Sequence, residues 1–156
     1  MPRFLLPFVL ALSFCAAGKA ADWPQFRGPG VTGVSTEKGL PTKWSATDGI
    51  AWKTEMPGAG TSSPVFVGDR IFITCYSGYN VPGKPKGEPS SLRRNVLSLE
   101  RKTGKIQWNS PVEAKLPEQE NIRDSHGYAS STPAADAERV YCFFGKSGVF
   151  AFDHAG

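Results

Sequence analysis

The chain repeats itself, and this limits its fold more than any single motif does. Residues 62–75 read SSPVFVGDRIFITC, and residues 131–144 read STPAADAERVYCFF. At an offset of 69, Pro64 falls on Pro133, Asp69 on Glu138, Arg70 on Arg139, Ile71 on Val140 and Phe72 on Tyr141. A second match follows: NVLSLE (95–100) returns as GVFAFD (148–153) at an offset of 53. The offsets differ by 16, so the first copy carries an insertion of that length. It falls in YNVPGKPKGEPSSLRR (79–94), a basic segment rich in Pro, Gly and Ser that is expected to be an exposed loop. A short repeated unit cannot bury its apolar face alone and must stack on a neighbour.

Each unit reads as short strands. Pro64 starts a strand in which Val65 and Val67 alternate. Gly68-Asp69 is a hairpin turn. From Arg70 to Tyr76 the alternation sends Ile71, Ile73 and Cys75 to one face and Phe72, Thr74 and Tyr76 to the other. Val96, Leu97 and Leu99 form a third strand, and Ile106 to Trp108 begins a fourth. Seventeen glycines and thirteen prolines fit a chain of many turns. The fold class expected is all-β, in units of four antiparallel strands.

LSLERKTGKIQW (97–108) joins the third strand to the fourth. It is not a phosphate loop, because no glycine precedes Gly104 until Gly87. Glu100 can accept hydrogen bonds from the turn amides after it. Gly104 supplies a positive φ if the turn needs one. Trp108 is expected to bury its ring between units. Glu100, Thr103, Gly104 and Trp108, with Ser98, closely resemble the tryptophan-docking motif of the PQQ-like (pyrroloquinoline quinone) repeat propellers. Ala151 and Asp153 begin a second copy. The lead-in DWPQFRGPG (22–30) and GTSSPVFVGDRIFIT (60–74) resemble the start of secreted PQQ-like or BamB-like proteins. The resemblance covers nearly all of the chain after residue 20. It implies a β-propeller, with about two blades of an eight-bladed ring of the quinoprotein alcohol dehydrogenase-like type. One blade is expected over 57–108 with the loop insertion 79–94, and a partial one over 109–156. Residues 21–49 form a lead-in, and 50–156 the incomplete propeller. Ile50 to Met56, with Trp52, reads as the outer strand of a further blade. The chain is expected to be the N-terminal part of a protein about three times longer.

Residues 1–20 read as a cleavable export signal, with Arg3 before an apolar run from Phe4 to Ala17 and small residues at Gly18 and Ala20. Removing Arg3 and Lys19 lowers the formal charge from +4 to +2, so the basic balance argues little for a nucleic-acid partner, and none is expected. Cys15 in LSFC resembles a lipoprotein acceptor, but Phe14 is too large for the preceding position; membrane association follows only if Cys15 is lipidated. The remaining cysteines align Cys75 with Phe144 and Cys142 with Ile73, on the same kind of face, as buried thiols rather than a disulfide framework.

RDSHGYASSTP (123–133) is the one cluster of reactive side chains. Adjacent residues in a loop rarely converge as a relay, and no Gly-x-Ser-x-Gly elbow occurs, so no catalytic residue is assigned. Asp124, Ser125, His126 and Tyr128 are taken instead as contacts at a propeller mouth. His126 and His154 have no zinc spacing around them, so no metal site is expected. The resemblance leaves two functions open. One is a non-enzymatic scaffold for a protein or small-molecule ligand, in cell-envelope assembly for BamB-type members. The other is a PQQ-dependent oxidoreductase, whose PQQ and calcium site would need the longer chain and for which no Cys-Cys pair is present. Mass spectrometry of the exported protein should find Ala21 as its first residue; a retained Met1 or an acylated Cys15 terminus would overturn the leader reading.

Overall fold

A computed structural model describes residues 21–119, 122 and 125–156. Residues 1–20, read above as an export signal and including Cys15 and Ala20, and Asp124 in the reactive cluster, lie outside the described residues. The fold is all-β, with no α-helix among the described residues. The first sheet holds β1 (Val65–Val67), β2 (Arg70–Ser77), β3 (Arg93–Glu100) and β4 (Ile106–Glu113), in that order. The second holds β5 (Ala134–Ala135), β6 (Arg139–Phe143) and β7 (Val149–Asp153). All pairings are antiparallel.

The repeat is kept in the pairing register. Val65 pairs with Phe72 in the first sheet, and Ala134 with Tyr141 in the second. Arg70 pairs with Glu100, and Arg139 with Asp153. The offsets of 69 and 53 are therefore offsets between equivalent ladders. The turns that carry them differ in chemistry. Gly68 turns β1 into β2 at φ 56°, and its amide donates to Asp22 Oδ1 (2.9 Å). The second sheet has Ala137 in that place, and Asp136 caps the turn instead. Its Oδ1 accepts the amides of Glu138 and Arg139, both at 2.8 Å, which holds its carboxyl below the usual range.

The insertion is shorter than 79–94 suggests: residues 82–91 are exposed, and its two ends are packed. Ser77 pairs with Arg93, so Arg93 and Arg94 already belong to β3. Tyr79 and Leu92, at the loop's two ends, are buried with Tyr76, Tyr128 and Ala129. Apolar contact at both ends is what holds a basic, Pro-rich loop down. The fourth strand runs past Trp108 to Glu113. Ile50–Met56 forms no strand; its backbone has no ladder partner among the described residues. The lead-in does more than precede the sheets. Trp23 exchanges both backbone hydrogen bonds with Phe66 (2.9 Å each), and the Pro24 carbonyl accepts from the Ala135 amide (2.8 Å). Residues 23–24 thus tie β1 to β5.

The sheets pack face to face. Val65, Phe72 and Val96 meet Val140, Cys142 and Phe144 in one cluster. Burial of each large side chain there contributes about 1.5–3 kcal/mol. The opposite face of the first sheet puts Ile71, Cys75, Leu97 and Leu99 against Trp52 and Met56. Both central strands of the first sheet are therefore covered on both faces, whereas β6 buries only alternate residues. Cys75 and Cys142 are free and buried, in different clusters. Burial pushes their thiols from 9.0 up to about 11 for Cys75 and about 12 for Cys142. Well below pH 9 both thiols are neutral in folded and unfolded chain alike. As pH rises through 9 the unfolded chain loses protons that the folded chain keeps, so stability should fall from pH 9 up to about 12. Denaturant midpoints at pH 8 and pH 10.5 should show part of this fall missing in Cys75→Ala/Cys142→Ala; an identical slope in both proteins would refute it.

Candidate functional site

The seam between the sheets begins at the turn after β3. There Trp108, on β4, lays its half-buried ring against the second sheet. Its centroid is 6.0 Å from Phe72 and 6.1 Å from Phe152, and its Nε1 donates to the His154 carbonyl (3.0 Å). The indole thus gains apolar cover and satisfies its one polar atom. The His154 ring stacks 5.0 Å from Phe72, and its Nε2 is buried with no hydrogen-bond partner.

One step earlier in the chain the same dock recurs. Trp52 Nε1 donates to the Arg101 carbonyl (3.1 Å), and Thr54 Oγ1 to the Gly104 carbonyl (2.6 Å). Arg101 follows Glu100 as His154 follows Asp153. The acidic residues act within their own turns. Asp153 Oδ1 accepts the amides of Ala155 (2.8 Å) and Gly156 (3.0 Å), as expected of such a cap. Glu100 differs: its Oε2 accepts the Thr103 hydroxyl, whose oxygen in turn accepts the Lys105 amide (3.2 Å). The extra methylene carries the carboxylate past the turn amides, and Thr103 relays the bond. Gly104 is needed twice over. Its φ is 71°, and a Cβ there would lie 2.2 Å from the Trp52 ring.

At the other end of the seam is a cavity of about 510 Å³, lined in part by Arg94, Glu118, His126, Tyr128, Phe143 and Lys146. Arg94 organises it. Its Nε donates to the Tyr128 carbonyl (2.9 Å), Nη1 to Ser147 Oγ (3.0 Å) and Nη2 to Glu118 (2.6 Å). Both partners of the ion pair are buried. One side chain therefore ties β3 to the segment joining the sheets and to the turn before β7. Sequence reasoning placed Arg94 in the solvated loop and missed Glu118. The signal was the alternation Arg94, Val96, Ser98, which lies opposite Tyr76, Thr74 and Phe72.

The reactive cluster forms the cavity's other wall. Thr61 Oγ1 donates to the His126 carbonyl (2.9 Å), Ser63 N to Thr132 Oγ1 (3.0 Å) and Thr74 Oγ1 to the Ser131 carbonyl (3.2 Å). These bonds stitch 126–132 to β2 and to the segment that leads into β1. His126 Nδ1 lies 3.1 Å from the Gly127 carbonyl. Ser125 is exposed at the loop's tip, with its amide bonded to the Ile122 carbonyl (3.2 Å). Tyr128 lines the cavity yet is buried between Tyr76 and Tyr79, its hydroxyl donating to the Gln119 carbonyl (3.2 Å). Burial raises its phenol above the usual range. Gly127, at φ 70°, lets the loop pass the Tyr76 ring, which a Cβ would meet at 2.7 Å. Among the described residues no group of three or more His, Cys, Asp or Glu is placed to hold a metal ion. The chain matches no family model, no curated protein and no solved structure.

Trp108→Ala should destabilise the chain by about 3 kcal/mol in denaturant unfolding, the lower end for a tryptophan because the ring is half-buried. A loss under about 1 kcal/mol would mean a surface residue. Arg94→Met should cost about 3–5 kcal/mol by leaving Glu118 buried and unpaired, and Arg94→Met/Glu118→Leu should recover most of it. No recovery would mean that the bonds to Tyr128 and Ser147, not the ion pair, carry the effect.

Proposed function

We propose that the two sheets are consecutive blades of a β-propeller, exported by its leader, which works as a non-catalytic binding scaffold. The single observation that carries the reading is the repeated tryptophan dock. Trp52 meets the Arg101 carbonyl as Trp108 meets that of His154, so each unit is fastened to the next by the same contact. Stacking of this kind produces a ring or solenoid whose loops gather on one face. The cavity beside Arg94 lies on the face that carries the longer connections, 78–92 and 114–133. It offers apolar wall, backbone carbonyls and the Lys146 cation, a lining suited to holding a ligand or peptide. The His126 ring turns its Nδ1 to a backbone carbonyl and not to a serine, which supports binding over acyl transfer. A role in envelope assembly rests on the sequence resemblance alone.

A photo-cross-linking side chain placed at Lys146, in cells that export the protein, should give adducts. The same side chain at Lys102, exposed at the opposite end, should give few. Equal labelling would overturn the assignment of the binding face. Quinone absorbance and dye-linked alcohol oxidation after incubation with PQQ and Ca²⁺ would overturn the non-catalytic reading.

A further inference from the structure

The hydrogen-bond and charge balance of the cavity beside Arg94 selects what it can hold. Its lining falls between Arg94 and Lys146, so its walls are built by the seam itself. The acceptors of one wall are already occupied. The carbonyls of His126, Tyr128, Ala129 and Ser131 accept from Thr61 Oγ1, Arg94 Nε, the Thr61 amide and Thr74 Oγ1. The Gly127 carbonyl faces His126 Nδ1 at 3.1 Å. Glu118, the carboxylate among the lining residues, is answered by Arg94 at 2.6 Å.

The donors are in the opposite state. Among the described residues, the Ser130 and Ser131 hydroxyls have no hydrogen-bond partner, and the exposed Lys146 has neither an ion pair nor a hydrogen bond. The buried pair of Arg94 and Glu118 cancels its own charge. Lys146 is then the cation of the lining that nothing answers. One such cation matches a monoanion; a phosphate monoester, carrying nearly two charges, would call for more. The rest of the lining is apolar. Ile122 packs with Tyr128 and Ala129, and the Phe144 ring lies 5.9 Å from the Arg94 guanidinium. A volume of about 510 Å³ lies within the ordinary range for small-ligand sites, about 300–1,000 Å³.

We propose that the cavity binds an apolar carboxylate, its acid group on Lys146 Nζ with the Ser130 and Ser131 hydroxyls and its hydrocarbon against Ile122, Ala129 and Phe144. This deepens the reading of the cavity as a binding site and rests on it. Arg94 is not the acid's partner, because Nε, Nη1 and Nη2 are all bonded already. A ligand that displaced Glu118 would leave that carboxylate buried and unpaired, which is strongly unfavourable. Two sources carry the required chemistry. One is a free apolar acid. The other is the C-terminal residue of a peptide, which presents a side chain and a carboxylate together.

Calorimetric titration of the exported protein with 3-phenylpropionate, its amide and 3-phenylpropylamine tests the charge. The acid should bind about tenfold more tightly than the amide, as expected for a hydrogen bond to a charged group, and the amine should bind weakest. Lys146→Met should remove the difference between acid and amide, while Lys102→Met at the opposite end should leave it. Acetyl-Gly-Gly-Phe with a free and with an amidated C-terminus separates the sources. A peptide acid that binds more tightly than 3-phenylpropionate assigns the site to chain ends, and the reverse order assigns it to free acids. Equal binding of acid and amide, preference for the amine, a preference that survives Lys146→Met, or no binding of any probe would overturn the proposal. Photo-cross-linked adducts at Lys146 in a protein that binds none of the probes would leave the binding scaffold standing while the carboxylate falls; loss of the adducts as well would remove both.

Discussion

An indole held between a neighbouring ring and a backbone carbonyl is the contact on which the rest of this structure depends. A four-stranded antiparallel sheet is apolar on both faces here, since β2 and β3 bury residues on each side. As an isolated unit it would expose apolar surface on both faces. Stacking solves that problem but leaves the sheets free to slide, because apolar contact has no direction. The Trp108 hydrogen bond to the His154 carbonyl adds the missing direction, and it fixes the register of one sheet on the next. Trp52 does the same on the other side of the first sheet.

From that fixed register the remainder of the seam follows. Phe72 meets Val140 and Cys142 in the middle, an apolar stretch whose burial pushes the Cys142 thiol up to about 12. Further along, the seam becomes polar. Arg94 reaches three partners in two segments, and its charge is answered by Glu118 at 2.6 Å. Such a pair is costly to bury and strict in geometry. It pins the connection between the sheets at one place, and the cavity is the space left around that pin.

The ladders were legible in the sequence because they depend on periodicity. Pro64 and Pro133, Phe72 and Tyr141, and Glu100 and Asp153 occupy equivalent places in the two sheets at the offsets the sequence repeats. The Gly104 turn was legible because only a residue without a Cβ tolerates both its φ and the nearby Trp52 ring. What the sequence hid were tertiary exchanges. Nothing local marks Trp23 as a partner for Phe66, or Arg94 as buried, since a Ser-Leu-Arg-Arg run ending a basic loop has the composition of solvated surface. Only the position opposite Tyr76 settles it, and that requires the strand's start. Glu100 illustrates a finer limit. Its place in the turn was readable, but the choice of the Thr103 hydroxyl over the turn amides depends on one methylene.

The same register explains why the two ends of the molecule behave differently. Tyr141, Phe143 and Val149 are exposed although they sit where the first sheet has buried residues. Their identity therefore reflects a covered face rather than a solvated one. A strand meant for water on that side would alternate polar residues there, as β4 does with Gln107 and Asn109. β6 instead reads Val140, Tyr141, Cys142, Phe143, apolar throughout, the pattern of a strand covered on both sides. Sequence and exposure disagree at this one face. The disagreement is resolved when another sheet of the same kind packs on it, as the second sheet packs on the first.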